Sequence, residues 1–172
     1  MTSKTAEFWP FSLETYRRPG VEAACLALQD DHGADVNCVL FCCWAARAGF
    51  GVLTDTEVGA LNALSADWNT TVVVPLREVR RALKARIGAA PEGPVAALRQ
   101  AVKDVELEAE WQEQRMLAEL LNRAPDAPPS AEDARRNLTA YFKRLGLPDD
   151  PALWRHADTV VDAAFHDLGA KG

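Results

Sequence analysis

The stretch Asp35-Val36-Asn37-Cys38-Val39-Leu40-Phe41-Cys42-Cys43-Trp44-Ala45-Ala46-Arg47 carries no charge between its ends, and from Cys38 to Ala46 it is apolar on every face. A surface helix shows one apolar stripe and one polar face, so a helix with no polar face is buried all round. The run is shorter than the roughly 20 apolar residues needed to span a bilayer, which makes it a core helix and not a membrane segment. Asp35 is its natural N-cap, because a short carboxylate accepts hydrogen bonds from the free N–H groups of a first turn. A fully apolar helix needs other helices to cover it, and the flanking sequence supplies them.

Upstream, Phe8, Phe11 and Tyr16 mark a short first helix that stops before Pro19-Gly20, since the residue before proline avoids helical geometry. Val21, Ala24, Cys25 and Leu28 follow at i, i+3, i+4 and i+7, and Gly33 is placed to end this second helix in a left-handed conformation. The two are expected to form a helical hairpin. Downstream, Thr54-Asp55-Thr56-Glu57 is a capping-box pattern ahead of Val58, Leu61, Leu64 and Trp68. The β-branched run from Asn69 to Val74 ends at Pro75, which predicts a break before Pro75 opens a fifth helix. That helix should turn Leu76, Val79, Leu83 and Ile87 inward, end near Gly88, and pass into a turn at Pro91-Glu92-Gly93-Pro94.

A long helix is expected over about 95–123, with Val95, Leu98, Val102, Val105 and Ala109 as its first stripe and Met116, Leu117, Leu120 and Leu121 as its last. Pro125-Asp126-Ala127-Pro128-Pro129 breaks the chain. Ser130 then caps a helix carrying Ala134, Leu138, Tyr141 and Leu145, which Gly146 and Pro148 end. Pro151 opens a final helix with Leu153, Ala157, Val160, Ala164 and Leu168 on one face. The expectation is an all-α, single-domain bundle of about seven to eight helices around a buried central helix (about 35–48), with one long helix (about 95–123). Residues 1–7 read as a flexible N-terminus, and 124–130 as a Pro-rich connection to a C-terminal helical hairpin.

At 172 residues one domain can bury about 70% of its unfolded surface without a metal or disulfide. With 48% hydrophobic and 26% charged residues the composition is that of a globular protein, not a disordered one. A formal charge of −6 argues against nucleic acid or an acidic membrane surface as partner, since both require a positive footprint. The polar start Met1 to Glu7 lacks the apolar core of a secretory signal. All four cysteines lie between Cys25 and Cys43, in stretches that read as buried helix, which fits reduced thiols in the cytoplasm.

Several groups are candidates for chemistry. Cys38 and Cys42 share a helix face with Cys25 on the preceding helix, a possible soft-metal set, but no C-x-x-C occurs and buried cysteine packs as a small hydrophobe. No metal or cofactor is therefore expected. His32, His156 and His166 are far apart and sit in no catalytic motif; His32 suits the C-terminal end of the second helix. Arg77, Arg80, Arg81 and Lys84 recur at i, i+3, i+4 and i+7, a basic stripe on an acidic protein where an anion or acidic partner can dock. The alternative is internal neutralisation by Asp104, Glu106, Glu108, Glu110 and Glu113 on the next helix. Trp111, between Glu110 and Gln112 and close to Arg115, has the setting of an interface anchor.

The segments Phe8-Trp9-Pro10-Phe11-Ser12-Leu13 with Tyr16, Arg18-Pro19-Gly20-Val21-Glu22-Ala23-Ala24-Cys25-Leu26-Ala27-Leu28-Gln29-Asp30, and Gly33-Ala34-Asp35-Val36-Asn37 leading to Trp44 resemble the DUF2390 family of uncharacterised proteobacterial proteins. The resemblance covers the first half of the chain, to Ile87. It implies a bacterial cytoplasmic protein of unassigned activity and brings no catalytic residues with it. It draws attention to Gln29, Asp30, Asp35 and Asn37, polar groups at the adjoining ends of the second and third helices. These either cap a buried helix start or line a polar pocket at that corner.

With no catalytic constellation in view, the leading expectation is a non-enzymatic interaction or adaptor protein, acting on a protein partner or as a homo-oligomer through the long helix and Trp111. The alternatives are a helical bundle that binds or converts a small ligand at the Gln29, Asp30, Asp35 and Asn37 corner, and soft-metal binding through Cys25, Cys38 and Cys42.

Overall fold

The computed structural model describes residues 4–87 and 92–168. It contains α1 (Lys4–Tyr16), α2 (Val21–His32), α3 (Val36–Arg47), α4 (Asp55–Trp68), α5 (Val74–Lys84), α6 (Pro94–Glu119), α7 (Ala131–Arg144) and α8 (Pro151–Ala164), with a π-helical turn over Asn69–Val73 joining α4 to α5. No strand occurs among the described residues, and the chain is all-α as its periodicities predict. Gly88, expected to end the fifth helix, and Pro91, expected to open the turn after it, lie outside the described residues.

α3 is the central helix, and every residue over 38–46 is buried. It lies against α1, α6, α7 and α8. Phe8 of α1 meets Phe41 edge-on at 5.6 Å between ring centroids and Trp44 at 5.0 Å. Each such side chain removed from water stabilises the fold by about 2 to 3 kcal/mol. The buried Asn137 of α7 ties the assembly together through its amide. Its Oδ1 accepts from Leu53 N–H at 2.7 Å, and its Nδ2 donates to the carbonyls of Cys42 and Gly51 at 3.2 and 3.1 Å.

Helix ends follow the capping chemistry written in the sequence. Asp35 accepts from Asn37 N–H and Cys38 N–H, Thr54 and Glu57 form the reciprocal capping box, and Ser130 accepts from Asp133 N–H. Gly33 closes α2 at φ 69°, a left-handed conformation that costs glycine nothing.

Four expectations are corrected. There is no break before Pro75: the chain stays helical from Asp55 to Lys84 through the π turn. Val74 N–H donates to Asn69 O, and the wider i→i+5 turn moves the preceding carbonyls away from the proline ring. The first helix starts at Lys4, ahead of Phe8, the first residue expected to mark it. α6 ends at Glu119, short of residue 123, with Leu121 buried beyond it. α1 and α2 do not pair as a hairpin: α1 packs chiefly along α6, and α2 along α8.

Candidate functional site

The polar corner is built on the capping of α3. One Asp35 oxygen takes Asn37 N–H at 2.7 Å and Cys38 N–H at 3.3 Å, and the other takes the Asn69 amide from the π turn. The Asp35 N–H donates to Tyr141 Oη at 3.0 Å. Asn37 faces α6, where its Nδ2 donates to Glu113 Oε2 and its Oδ1 accepts from Gln114 Nε2, both at 2.8 Å. Gln29 accepts from Arg77 Nη1 at 3.1 Å and donates to Asp30 at 3.2 Å, with Asp30 on the exposed edge. Asp35 and Asn37 therefore cap a buried helix and also hold α5 and α6 side chains in place.

The basic stripe divides. Arg77 and Arg80 turn onto α6 and both bind Glu106, at 3.2 Å for Arg77 and 3.3 Å for one of the two Arg80 contacts. Arg77 also lies 3.5 Å from Glu110. Burial would push the Glu106 carboxyl up, but the Arg80 and Arg77 hydrogen bonds override it and hold it below the usual carboxylate range. Arg81 and Lys84 are exposed and have no ion-pair partner among the described residues. The inward stripe expected for α5 is not what packs: Val79 is 48% exposed and no residue of α5 is fully buried. The guanidinium groups face α6, where the carboxylates satisfy them.

α6 explains this arrangement. Val95, Val102 and Ala109 repeat every seven residues, with Leu98 and Val105 flanking them on one side and Arg99 and Glu106 on the other. Leu98 and Val105 are each 54% exposed, whereas Glu106, Glu113 and Gln114 are buried. The inner face thus runs Val95, Arg99, Val102, Glu106, Ala109, Glu113, Leu117, and the acidic run contributes Glu106 and Glu113 to the interior.

These elements enclose a cavity of about 340 Å³ between α1, α2, the start of α3, the π turn, α5 and α6. Trp9, Leu13, Tyr16, Leu26, Val36, Leu40, Val73 and Leu107 form its apolar wall, and Gln29, Asp35, Asn37, Asn69, Arg77, Glu110, Glu113 and Gln114 its polar wall. Three buried atoms of lining residues make no hydrogen bond: Ser12 Oγ, Glu113 Oε1 and Gln114 Oε1. The polar wall of the cavity therefore includes buried residues with hydrogen-bonding capacity that no protein group uses. Burial, reinforced by Asp35, pushes the Glu113 carboxyl up to about 8, opposed by the Asn37 hydrogen bond and the nearby Ser65 hydroxyl. Burial raises Glu110 to about 6, with Arg77 pulling the other way. Glu113 can therefore hold or release a proton near neutral pH.

The family described as protein of unknown function (DUF2390) matches residues 7–117. The chain belongs to the DUF2390 family. Comparison with curated proteins and with solved structures gives no match. The DUF2390 match runs past Ile87, where the resemblance was expected to stop, and through most of α6. It contains every residue lining the cavity, from Trp9 to Gln114, while α7 and α8 lie outside it.

Within the same DUF2390 segment, Trp111 is half-buried beside a shallow hollow it shares with Trp9, Asp104, Leu107 and Glu108, and the Arg115 guanidinium lies 5.9 Å from its ring centroid. Cys25, Cys38, Cys42 and Cys43 are free and buried. Burial pushes every one of these thiols up, Cys25 to about 12, and among the described residues no group of three or more His, Cys, Asp or Glu is disposed to hold a metal ion. His156 is half-buried and His166 exposed. Sequence reasoning missed Ser12, Asn69 and Gln114, and read Glu110 and Glu113 only as partners of the basic stripe. The seven-residue spacing of Glu106 and Glu113, in step with Val95, Val102 and Ala109, was the signal that Glu113 turns inward.

Proposed function

We propose that this protein binds a small organic ligand in the cavity between α1, α2, α5 and α6. The observation that carries this reading is a space of about 340 Å³ with one apolar and one polar wall, the polar wall including three buried residues, Ser12, Glu113 and Gln114, that each keep an unpartnered oxygen. Ligand pockets are concave and mostly apolar, with a few convergent polar groups, and the wall from Trp9 to Leu107 with the Asn37, Glu113 and Gln114 floor has that composition. Nitrogen-15 correlation spectra of the full chain, recorded with a fragment mixture, test it. Shifts should cluster at Ser12, Asn37 and Gln114, and Leu107→Trp, which fills the cavity mouth, should abolish them. Shifts confined to other surfaces, or unaffected by Leu107→Trp, refute the reading.

A second reading, self-association or partner binding through α6, is favoured by the exposure of Leu107 (51%) and Val105 (54%) on the helix that carries Trp111. Sedimentation equilibrium tests it: concentration-dependent association lost in Trp111→Ala supports it, and a monomer at all concentrations removes it for homo-oligomers. We also propose a cytoplasmic location, which the four buried free thiols support. No helix among the described residues is long and apolar enough to cross a membrane.

A further inference from the structure

We propose that the outer half of the α5–α6 pair is a binding site for an oligophosphate, a ligand with two or more linked phosphoryl groups. Arg81 and Lys84 hold it from one helix and Lys103 from the other, with Arg99 at the outer end. The site shares Arg81 with the cavity and does not depend on what the cavity binds.

The charge of the chain is segregated. Between Glu78 and Asp104 stand six cations, Arg80, Arg81, Lys84, Arg86, Arg99 and Lys103, and one acid, Glu92. That stretch carries +5 in a protein of net −6, which leaves −11 for the remainder. An acidic protein thus presents one local positive surface, and a field of that kind gathers anions to it.

Helix geometry brings four of these cations together. Arg80 binds Glu106 and Arg77 reaches Glu110, so α5 runs antiparallel to α6 with Arg80 level with Glu106. Arg81 and Lys84 follow Arg77 at i+4 and i+7, on one flank of α5, and Arg99 and Lys103 precede Glu106 and Glu110 by seven residues each, on one flank of α6. Counting outward from the Arg80–Glu106 pair sets Lys84 level with Lys103. One interface therefore has two halves. In the inner half arginine meets glutamate, and in the outer half cation meets cation. Arg81, Lys84 and Lys103 are exposed, Arg99 is half-buried, and none of the four makes an ion pair among the described residues. The acids of this stretch are placed elsewhere: Asp104 accepts from Gln100 Nε2 at 2.8 Å, and Glu78 and Glu92 are exposed to solvent.

Like charges brought level across two helices repel, and an anion laid between them turns that repulsion into attraction. The arrangement fits linked phosphates better than a single carboxylate or a nucleic-acid strand. Four cations within about two helical turns, roughly 10 Å, match a ligand that concentrates three or four negative charges at one place. A strand spreads its phosphates along its length at one charge each. Arginine offers a planar fork to two phosphate oxygens and lysine a mobile point charge, the pairing that phosphoryl groups call for.

The test is amide shift mapping of the full chain with three probes at physiological ionic strength: sodium tripolyphosphate, orthophosphate and a single-stranded DNA oligonucleotide. Tripolyphosphate should shift the amides of Arg81, Lys84, Arg99 and Lys103 and bind about tenfold more tightly than orthophosphate. Lys84→Gln combined with Lys103→Gln, both at exposed positions, should weaken it by about tenfold, while the amides of α3 and α7 stay in place and report an intact fold. No shift at millimolar tripolyphosphate, equal binding by the double variant, or shifts that extend to the α7 cations Arg136 and Lys143 overturns the site. Tighter binding of the oligonucleotide at the same four residues overturns the oligophosphate assignment in favour of a nucleic-acid backbone.

Discussion

Replacing Glu113 by glutamine should make the protein more stable, and increasingly so as pH rises. Glu113 has no exposed surface, and its carboxyl stands at about 8 in the fold against an ordinary value of 4.5. Between those values the unfolded chain carries the carboxylate while the folded chain carries the acid, so the folded state binds more protons. Stability then falls with rising pH, by about 1.4 kcal/mol for each pH unit through that window. From about pH 5 to about pH 8 the loss from this group approaches 4 kcal/mol. It is absent below the unfolded value and complete above the folded one. Glutamine cannot ionise, can accept from Asn37 Nδ2 as Glu113 does, and fills the same volume. Urea unfolding of both proteins between pH 5 and pH 8, followed by tryptophan fluorescence, measures the difference directly. Glu113→Gln should gain about 2 to 4 kcal/mol on the parent at pH 8 and much less at pH 5. Parallel pH profiles would refute the account of Glu113 as a buried, protonated acid, because the remaining carboxyls are common to both chains.

Asn137→Ala should destabilise by about 3 kcal/mol in the same assay, because it strips partners from Leu53 N–H and from the Cys42 and Gly51 carbonyls inside the core; a loss under about 1 kcal/mol would show that water takes over those bonds. Gly49→Ala should cost at least about 2 kcal/mol, because the residue sits at φ 89° and a Cβ there would lie 2.9 Å from the Ala127 carbonyl oxygen and 3.2 Å from Pro125 Cβ. Gly59→Ala makes the contrasting control, since its Cβ meets only the end of the flexible Arg144 side chain. All four cysteines should resist a thiol reagent such as DTNB at pH 8 in the native protein and react at once in denaturant, given their burial and raised values; rapid labelling of any one would place it at the surface.

The sequence by itself determined the helices and what lies at the centre. A run apolar on every face has one stable environment, the middle of a bundle, and α3 occupies it. Caps at Asp35, Thr54 and Ser130 and the glycine stop at Gly33 are decided within a few residues of chain, because an open N–H or C=O is satisfied locally or not at all. The importance of Asp35 and Asn37 was visible too, as polar groups at a helix start that has to be buried.

Tertiary structure decided the rest. The break expected before Pro75 became a π turn because α4 and α5 are held as one run, which delivers Asn69 to Asp35. On α6 the stripe through Val95, Val102 and Ala109 leaves open which neighbouring row turns inward, Leu98 and Val105 or Arg99 and Glu106. Local periodicity cannot choose between them. The choice came from α5, whose Arg77 and Arg80 pair with Glu106 across the interface and so turn Glu113 and Gln114 inward onto Asn37. Buried charge is stable only beside its partner, and a partner on another helix is set by packing and not by spacing along the chain.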